Sequence, residues 1–319
     1  MRKNNPPVTP EQIIAAYHTN VGFAHKTPVL TNEFSNRKAG AALFFKCENF
    51  QKAGAFKFRG AHYAISQLTD EERMAGVCTH SSGNHAQALA LAASIHGMNA
   101  HIVMPENSPK VKVNAVKNYG GQITFCKPTL QARENTLAEV QKRTGATFIH
   151  PYNNYNIIRG QAGCFYEMIN QVEQILDYVV VPVGGGGLTS GTALVSHFFS
   201  PKTKVIAAEP EGANDAWQSF RSKQFIPSHN PVTIADGLKT SLGDLTYPII
   251  MNMVDDVLTV SEQQIKDTLK WVWERMKIII EPSAAVSLAA VFSHKQLFEK
   301  SKTGVIFSGG NIDFESLNL

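Results

Sequence analysis

A lysine set among small and aromatic residues is the first feature of this chain that could do chemistry. It lies in the run Glu48-Asn49-Phe50-Gln51-Lys52-Ala53-Gly54-Ala55-Phe56-Lys57-Phe58-Arg59-Gly60. Phe56 and Phe58 would desolvate the Lys57 ammonium, which favours a neutral amine able to condense with a carbonyl. A snorkelling lysine on an amphipathic helix fits the same run. The second feature is Ser81-Ser82-Gly83-Asn84-His85-Ala86-Gln87. Hydroxyls, an amide and free N–H groups at a helix start suit a carboxylate, and they also suit plain capping. The third is Gly184-Gly185-Gly186-Gly187, ahead of a helical pattern. Four glycines let successive N–H groups face one anion, a phosphate above all, with a flexible turn as the alternative. They also invite a dinucleotide reading, that of an NAD-dependent dehydrogenase, because Glu209 follows Gly187 by 22 residues, where a ribose-binding acid would stand. However, Gly185, Gly187 and Gly191 spell GxGxxxG rather than GxGxxG, and this reading leaves the lysine and serine segments without a role.

Short apolar runs alternate with helical patterns around these segments. Strands are predicted at 42–46, 76–79, 100–104, 122–126, 147–150, 178–183, 204–209, 257–260 and 304–308. Helices are predicted at 87–96, 111–119, 130–143, 188–199, 262–275 and 283–294. A further helix should start at Thr9-Pro10-Glu11-Gln12, where Thr9 caps, Pro10 takes the first helical position and Gln12 closes a capping box. The alternation argues for α/β layers with mainly parallel sheets. Nine strands are many for one sheet, so two sheets in two lobes are expected. Residues 75–151 read as a compact βαβαβαβ stretch and form the expected smaller domain; 1–74 with 152–319 form the larger, discontinuous one.

The composition narrows the function classes. The 319 residues suffice for a sizeable core, and the hydrophobic fraction of 43% and charged fraction of 18% describe a globular chain. A net charge of +4 with scattered Lys and Arg implies neither nucleic acid nor an anionic membrane as partner. Lys110, Lys112 and Lys117, the densest basic stretch, read as a solvated helix face. Cys47, Cys78, Cys126 and Cys164 are far apart, without a CxxC pair, which argues against zinc or a disulfide framework. The N-terminus lacks an apolar signal core and no apolar run approaches membrane-spanning length, so a soluble, reducing, cytoplasmic setting is expected.

In their order along the chain, the lysine run, Ser81–His85, the tetraglycine and Ser308-Gly309-Gly310-Asn311 resemble the fold-type II pyridoxal-phosphate (PLP) enzymes. The resemblance runs from Thr27 to Asn311 and is closest to the serine racemase and serine/threonine dehydratase group. It implies a tryptophan synthase β-like α/β fold of two lobes, each a mainly parallel twisted sheet flanked by helices. It implies that Lys57 carries PLP and serves as base on one face of the substrate. Gly184, Gly185, Gly186 and Gly187, with Leu188, would cradle the phosphate. Asn84 would meet the 3-hydroxyl, Phe56 would flank the ring and Ser308 would meet the pyridine nitrogen. Ser81, Ser82, Asn84 and His85 would hold the substrate carboxylate, assisted by Arg133. Thr240 stands where racemases usually have a serine. Simple threonine dehydratases of the family usually carry alanine at the position of Ser82, so its hydroxyl is the natural second acid–base group for racemisation, with substrate binding or capping as its alternative roles.

The resemblance further implies a divalent-cation site at Glu209, Asp215 and the Ala213 carbonyl, hard oxygen ligands suited to Mg²⁺ or Ca²⁺, with Mn²⁺ as a further candidate. Animal racemases of the group also bind ATP between subunits. Lys52, Gln87, Tyr119 and Lys277 match part of that site, while Ala53 stands where a threonine is often found, which weighs against ATP as an activator. The implied reaction is PLP-dependent α,β-elimination from serine or threonine, with serine racemisation beside it; a threo-3-hydroxyaspartate ammonia-lyase is the near alternative. A homodimer is implied, with the small lobe closing over a small amino-acid substrate. A non-catalytic sensor would have no use for a complete set of acid–base groups.

Overall fold

The computed structural model describes residues 6–313. Its strands are β1 (Val29–Leu30), β2 (Ala42–Cys47), β3 (Val77–His80), β4 (Ala100–Pro105), β5 (Gln122–Cys126), β6 (Thr147–Phe148), β7 (Tyr178–Pro182), β8 (Lys204–Pro210), β9 (Asp256–Val260) and β10 (Lys302–Phe307). They form two sheets. One has six strands in the order β1-β2-β10-β7-β8-β9, parallel except for β1, and the other has four parallel strands in the order β5-β4-β3-β6.

Parallel strands buried on both faces should be mostly apolar, and the central strands β7 and β4 are. In β7, Val179 and Val181 enter one core cluster and Val180 the other. In the four-stranded sheet, Val77, Ile102 and Met104 face one cluster while Cys78 and Val103 face the opposite one. Chain connections between parallel neighbours run through helices, including Asn84–Ile95 between β3 and β4 and Gly187–Phe199 between β7 and β8.

The helix Lys57–Ser66, here the lysine helix, joins the two halves. Its Phe58, Ala61 and Ile65 enter the core beside the four-stranded sheet, and it packs along the 17-residue helix Tyr155–Gln171. That crossing is close because glycines meet there: a Cβ on Gly160 would lie 2.6 Å from the Arg59 carbonyl oxygen.

The predicted helix start at Thr9 forms as a capping box in Pro10–Asn20. The predicted helix 262–275 is α-helical only over Glu262–Trp271 and continues as a π-turn, Val272–Met276, ending on Lys277 in a left-handed conformation. The four cysteines are free and buried, and among the described residues no helix is long and apolar enough to cross a membrane.

Candidate active site

Parallel strands leave their ligands at their carboxyl ends, where the loops that follow can converge. Ser81–His85 follow β3, the four glycines follow β7 and Ser308 follows β10. They meet in one cavity of about 750 Å³ together with Phe56, Lys57, Leu188, Arg133 and Thr240. Every residue assigned from the sequence to cofactor or substrate lines it.

Lys57 opens the lysine helix with its ammonium donating to the Pro151 carbonyl, 2.7 Å away, and lying 5.1 Å from the Phe56 ring centroid. Burial depresses its pKa to about 8, against an opposing pull from the Glu281 carboxylate. A much larger fraction is therefore the neutral amine at neutral pH than for an ordinary lysine.

The glycine turn has no room for side chains. A Cβ on Gly185 would lie 2.2 Å from the Tyr152 ring, and Gly186 has φ +88, a left-handed backbone suited to glycine. The helix after it begins at Gly187, so its first N–H groups lack intrahelical acceptors. Among the described residues, Ser190 is the first of its amides to find a backbone acceptor, the Gly186 carbonyl at 2.8 Å. Bare amides at a helix N-terminus fit a phosphate, and a desolvated lysine in the same cavity fits an aldehyde, so the residues present fit pyridoxal phosphate.

The serine loop is built differently. The Gly83 N–H donates to Ser81 Oγ at 3.3 Å, and Ser82 lines the cavity half-buried. The amide of Asn84 is held on both sides. Its Nδ2 donates to the two Glu281 oxygens at 2.8 and 3.0 Å, and its Oδ1 accepts from Asn311 Nδ2 at 3.0 Å. His85 places Nε2 3.0 Å from the Ile149 carbonyl, so this nitrogen carries the proton. Burial, then Lys57, push its pKa to about 3, and Nδ1 is a lone pair. The imidazole therefore has no proton to give a carboxylate, and His85 can contribute only its main-chain N–H.

Of the cavity residues that were not anticipated, three touch the assigned ones directly. Glu281 is fully buried, and burial, then the Asp236 carboxylate, raise its pKa to about 7. Its signal in the sequence was a carboxylate inside the apolar run Ile278-Ile279-Ile280-Glu281-Pro282. Tyr152 packs its ring on the glycine turn, and Pro151 supplies the carbonyl that holds Lys57.

The metal and nucleotide residues lie outside this cavity. Glu209 is the last residue but one of β8 and Asp215 starts the helix Asp215–Ser222; burial raises the pKa of Asp215 to about 6 and that of Glu209 well above the usual range. Glu209 accepts from the main-chain N–H groups of Ala216, at 3.3 Å, and Trp217. Among the described residues, no group of three or more His, Cys, Asp or Glu could hold a metal, so a cation here would rest on two carboxylates, the Ala213 carbonyl and water. Gln87, Tyr119 and Lys277 line a second cavity of about 660 Å³ with Lys112 and Asn311; Lys52 is not part of its wall and sits 5.7 Å over the Phe58 ring.

Comparison with known proteins identifies the family of the chain. Residues 22–309 match the family model described as pyridoxal-phosphate dependent enzyme. The β-hydroxyaspartate dehydratase of Paracoccus denitrificans is 45% identical over 309 residues, 97% of this chain and 98% of that one. The serine racemase of Dictyostelium discoideum is 47% identical over 316 residues, 98% of this chain and 97% of that one. The crystal structure of the T.th. threonine deaminase superposes with a TM-score of 0.92 at 36% identity, covering 96% of this chain and 99% of that one. The dehydrogenase reading of the glycine turn is thereby replaced, and the chain belongs to the pyridoxal-phosphate dependent enzymes.

Proposed function

We propose that this enzyme acts on small β-hydroxy amino acids, deaminating serine and threonine to keto acids by α,β-elimination and hydrolysis, and interconverting the enantiomers of serine. One observation carries the reading: Lys57, the serine loop, the glycine turn and Ser308 line a single cavity. Bound pyridoxal phosphate supplies an aldehyde that an amine can join covalently and an electron sink that acidifies the substrate Cα–H. The amides of Gly184–Gly187 and Leu188 would hold its phosphate, Asn84 its 3-hydroxyl and Ser308 its ring nitrogen, with Phe56 flanking the ring. Ser308, a hydroxyl rather than a carboxylate, would hold no proton on that nitrogen and would leave the electron sink weaker.

The main-chain N–H groups and hydroxyls of Ser81–His85 hold the substrate carboxylate. Lys57 takes the α-proton on one face of Cα. Loss of the β-hydroxyl as water leaves an enamine product, and a water molecule then hydrolyses its imine tautomer, releasing ammonia and giving pyruvate from serine or 2-oxobutanoate from threonine. Delivery of a proton by Ser82 to the opposite face leads to the other enantiomer. Residues 75–151 act as the smaller domain and close over the substrate, and Thr240 shapes the opposite wall. A divalent cation at Glu209, Ala213 and Asp215 would relieve two buried carboxylates that have no cationic side chain beside them among the described residues. Two copies of the chain form the working unit, and it works in the cytoplasm.

A second reading, elimination from threo-3-hydroxyaspartate, is favoured by Arg133, which lines the cavity with a buried Nε that has no acceptor. A second substrate carboxylate would supply one.

The test begins with colour. Purified protein should show a visible absorption band that Lys57→Ala abolishes; protein with neither band nor cofactor refutes the reading. Cofactor uptake should accelerate as pH rises through about 8, because Lys57 is neutral above its depressed pKa. Incubation with L-serine, D-serine, L-threonine and threo-3-hydroxyaspartate, with and without Mg²⁺, followed by keto-acid and enantiomer assays, then decides between the substrates.

A further inference from the structure

We propose that Arg59 is a positioning residue for Lys57: its buried guanidinium, gripped by Glu48 and Glu167, sets the angle at which the lysine helix presents Lys57 to the cavity. The inference rests on the reading of Lys57 as the cofactor lysine.

The lysine helix has no side-chain cap at its N-terminus. Its first turn is fixed by other means. The Phe56 N–H donates to the Ser308 carbonyl at 3.0 Å, and Arg59, two positions after Lys57, reaches the other way. Two residues turn a helix by about 200°, so Lys57 on the cavity side puts Arg59 on the far side, as a handle.

That handle is held from three directions. Arg59 Nε donates to Glu48 Oε2 at 2.8 Å and Nη2 to Glu48 Oε1 at 2.7 Å, a two-pronged grip on the segment that follows β2. Nη2 also donates to Glu167 Oε1 at 2.9 Å, in the helix Tyr155–Gln171. The Arg59 carbonyl accepts from Asn20 Nδ2 at 3.0 Å. One residue of the lysine helix is thus tied to the large sheet, to the helix it crosses and to the N-terminal helix, with 1% of its surface exposed.

Lys46 completes the cluster and makes it neutral: two cations, two carboxylates. Its ammonium donates to Glu167 Oε1 at 2.6 Å and to the Thr27 carbonyl at 2.8 Å. Lys46 belongs to β2, whose register its strand neighbours β1 and β10 already fix. Removing Lys46 unbalances the same buried charges without letting go of the lysine helix. Stability and positioning are therefore separable: both cations serve the first, and only Arg59 serves the second.

The experiment compares Arg59→Lys with Lys46→Gln in the full-length protein. Arg59→Lys keeps the charge and loses the two-pronged grip. Three quantities are read: the thermal midpoint; the pH dependence of labelling of Lys57 by an amine-directed reagent before cofactor is added, followed by peptide mass; and kcat and KM of the loaded enzyme. Arg59→Lys should move the Lys57 labelling midpoint upward by about half a pH unit or more as the amine gains water. It should also lower kcat by about tenfold to a hundredfold with KM within about threefold, the cost expected for a misplaced reacting group. Lys46→Gln should lower the thermal midpoint and leave the labelling profile and kcat in place. A Lys57 profile unmoved in Arg59→Lys, or moved in both variants in step with their thermal loss, overturns the proposal. If Arg59→Lys does not fold, Glu48→Gln, which weakens one arm of the grip, decides by the same criteria. A wild-type protein without a visible band refutes the cofactor reading instead, and the labelling comparison remains readable.

Discussion

Two strand-to-helix junctions face the same cavity, one after β7 and one after β3, and they are built in opposite ways. After β7 the chain is packed shut. The first ten residues of the following helix, Gly187–Ser196, are all buried, and a Cβ on Gly185 would strike Tyr152 at 2.2 Å. After β3 the chain is open: Ser81, Ser82, Gly83 and Asn84 are all half-buried, and a Cβ on Gly83 would meet nothing within 4 Å. The packed junction offers backbone amides alone, which suits a group that stays bound. The open one offers side chains, which suits a substrate that comes and goes. Rigid and adaptable recognition are thus divided between the large and the small sheet.

The largest effect that would sharpen this contrast is expected at Ser82. Ser82→Ala removes the only hydroxyl assigned to proton transfer opposite Lys57 and should slow D-serine formation from L-serine by about a hundredfold to ten-thousandfold. Pyruvate formation should persist within a few-fold, and the visible band should stay, because no cofactor contact is lost. Equal loss of both products would make Ser82 a binding residue and blur the division.

The next effect belongs to the packed side. Gly185→Ala must displace Tyr152 or the turn itself, and overpacking of this kind costs about 1–3 kcal/mol. Cofactor affinity should fall by about tenfold to a hundredfold, read as release on dialysis. KM for serine should change little once cofactor is saturating. Undiminished retention would show that the turn yields, contrary to its packing.

The two junctions also differ in how far the sequence revealed them. Both motifs were readable because their chemistry is local: four consecutive glycines, and five consecutive residues with hydroxyl, amide and imidazole groups. Strand β5 appears at 122–126 as expected, and the helix Leu130–Thr144 exceeds its expectation by one residue, bounded by its Thr129 cap and Gly145. The helix expected at 87–96 begins instead at Asn84, because the polar residues of the serine loop hid its first turn. The helix Tyr155–Gln171 escaped the reading altogether. Its glycines, Gly160 and Gly163, weaken the helical signal, and Gly160 is there for close passage of the lysine helix, a partner in space that periodicity does not report. Strand β1 is two residues long and too short to show a pattern. Glu281 reaches Asn84 across 197 positions and Glu167 reaches Arg59 across 108, so neither pairing had a local trace.

The smallest effect is the most discriminating, because it applies one methyl group to the other junction. Gly83→Ala adds a Cβ where no protein atom stands within 4 Å, on a backbone with a negative φ of −129. Folding and cofactor retention should therefore match the wild type, unlike Gly185→Ala. Since Gly83 lines the cavity, any cost should fall on the substrate, as a rise in KM of a few-fold, about 1 kcal/mol or less. The bulkier threonine should suffer more than serine. If Gly83→Ala instead loses cofactor as readily as Gly185→Ala, the serine loop is as tightly coupled to the phosphate cradle as the glycine turn is, and the separation of a rigid cofactor side from an adaptable substrate side is wrong.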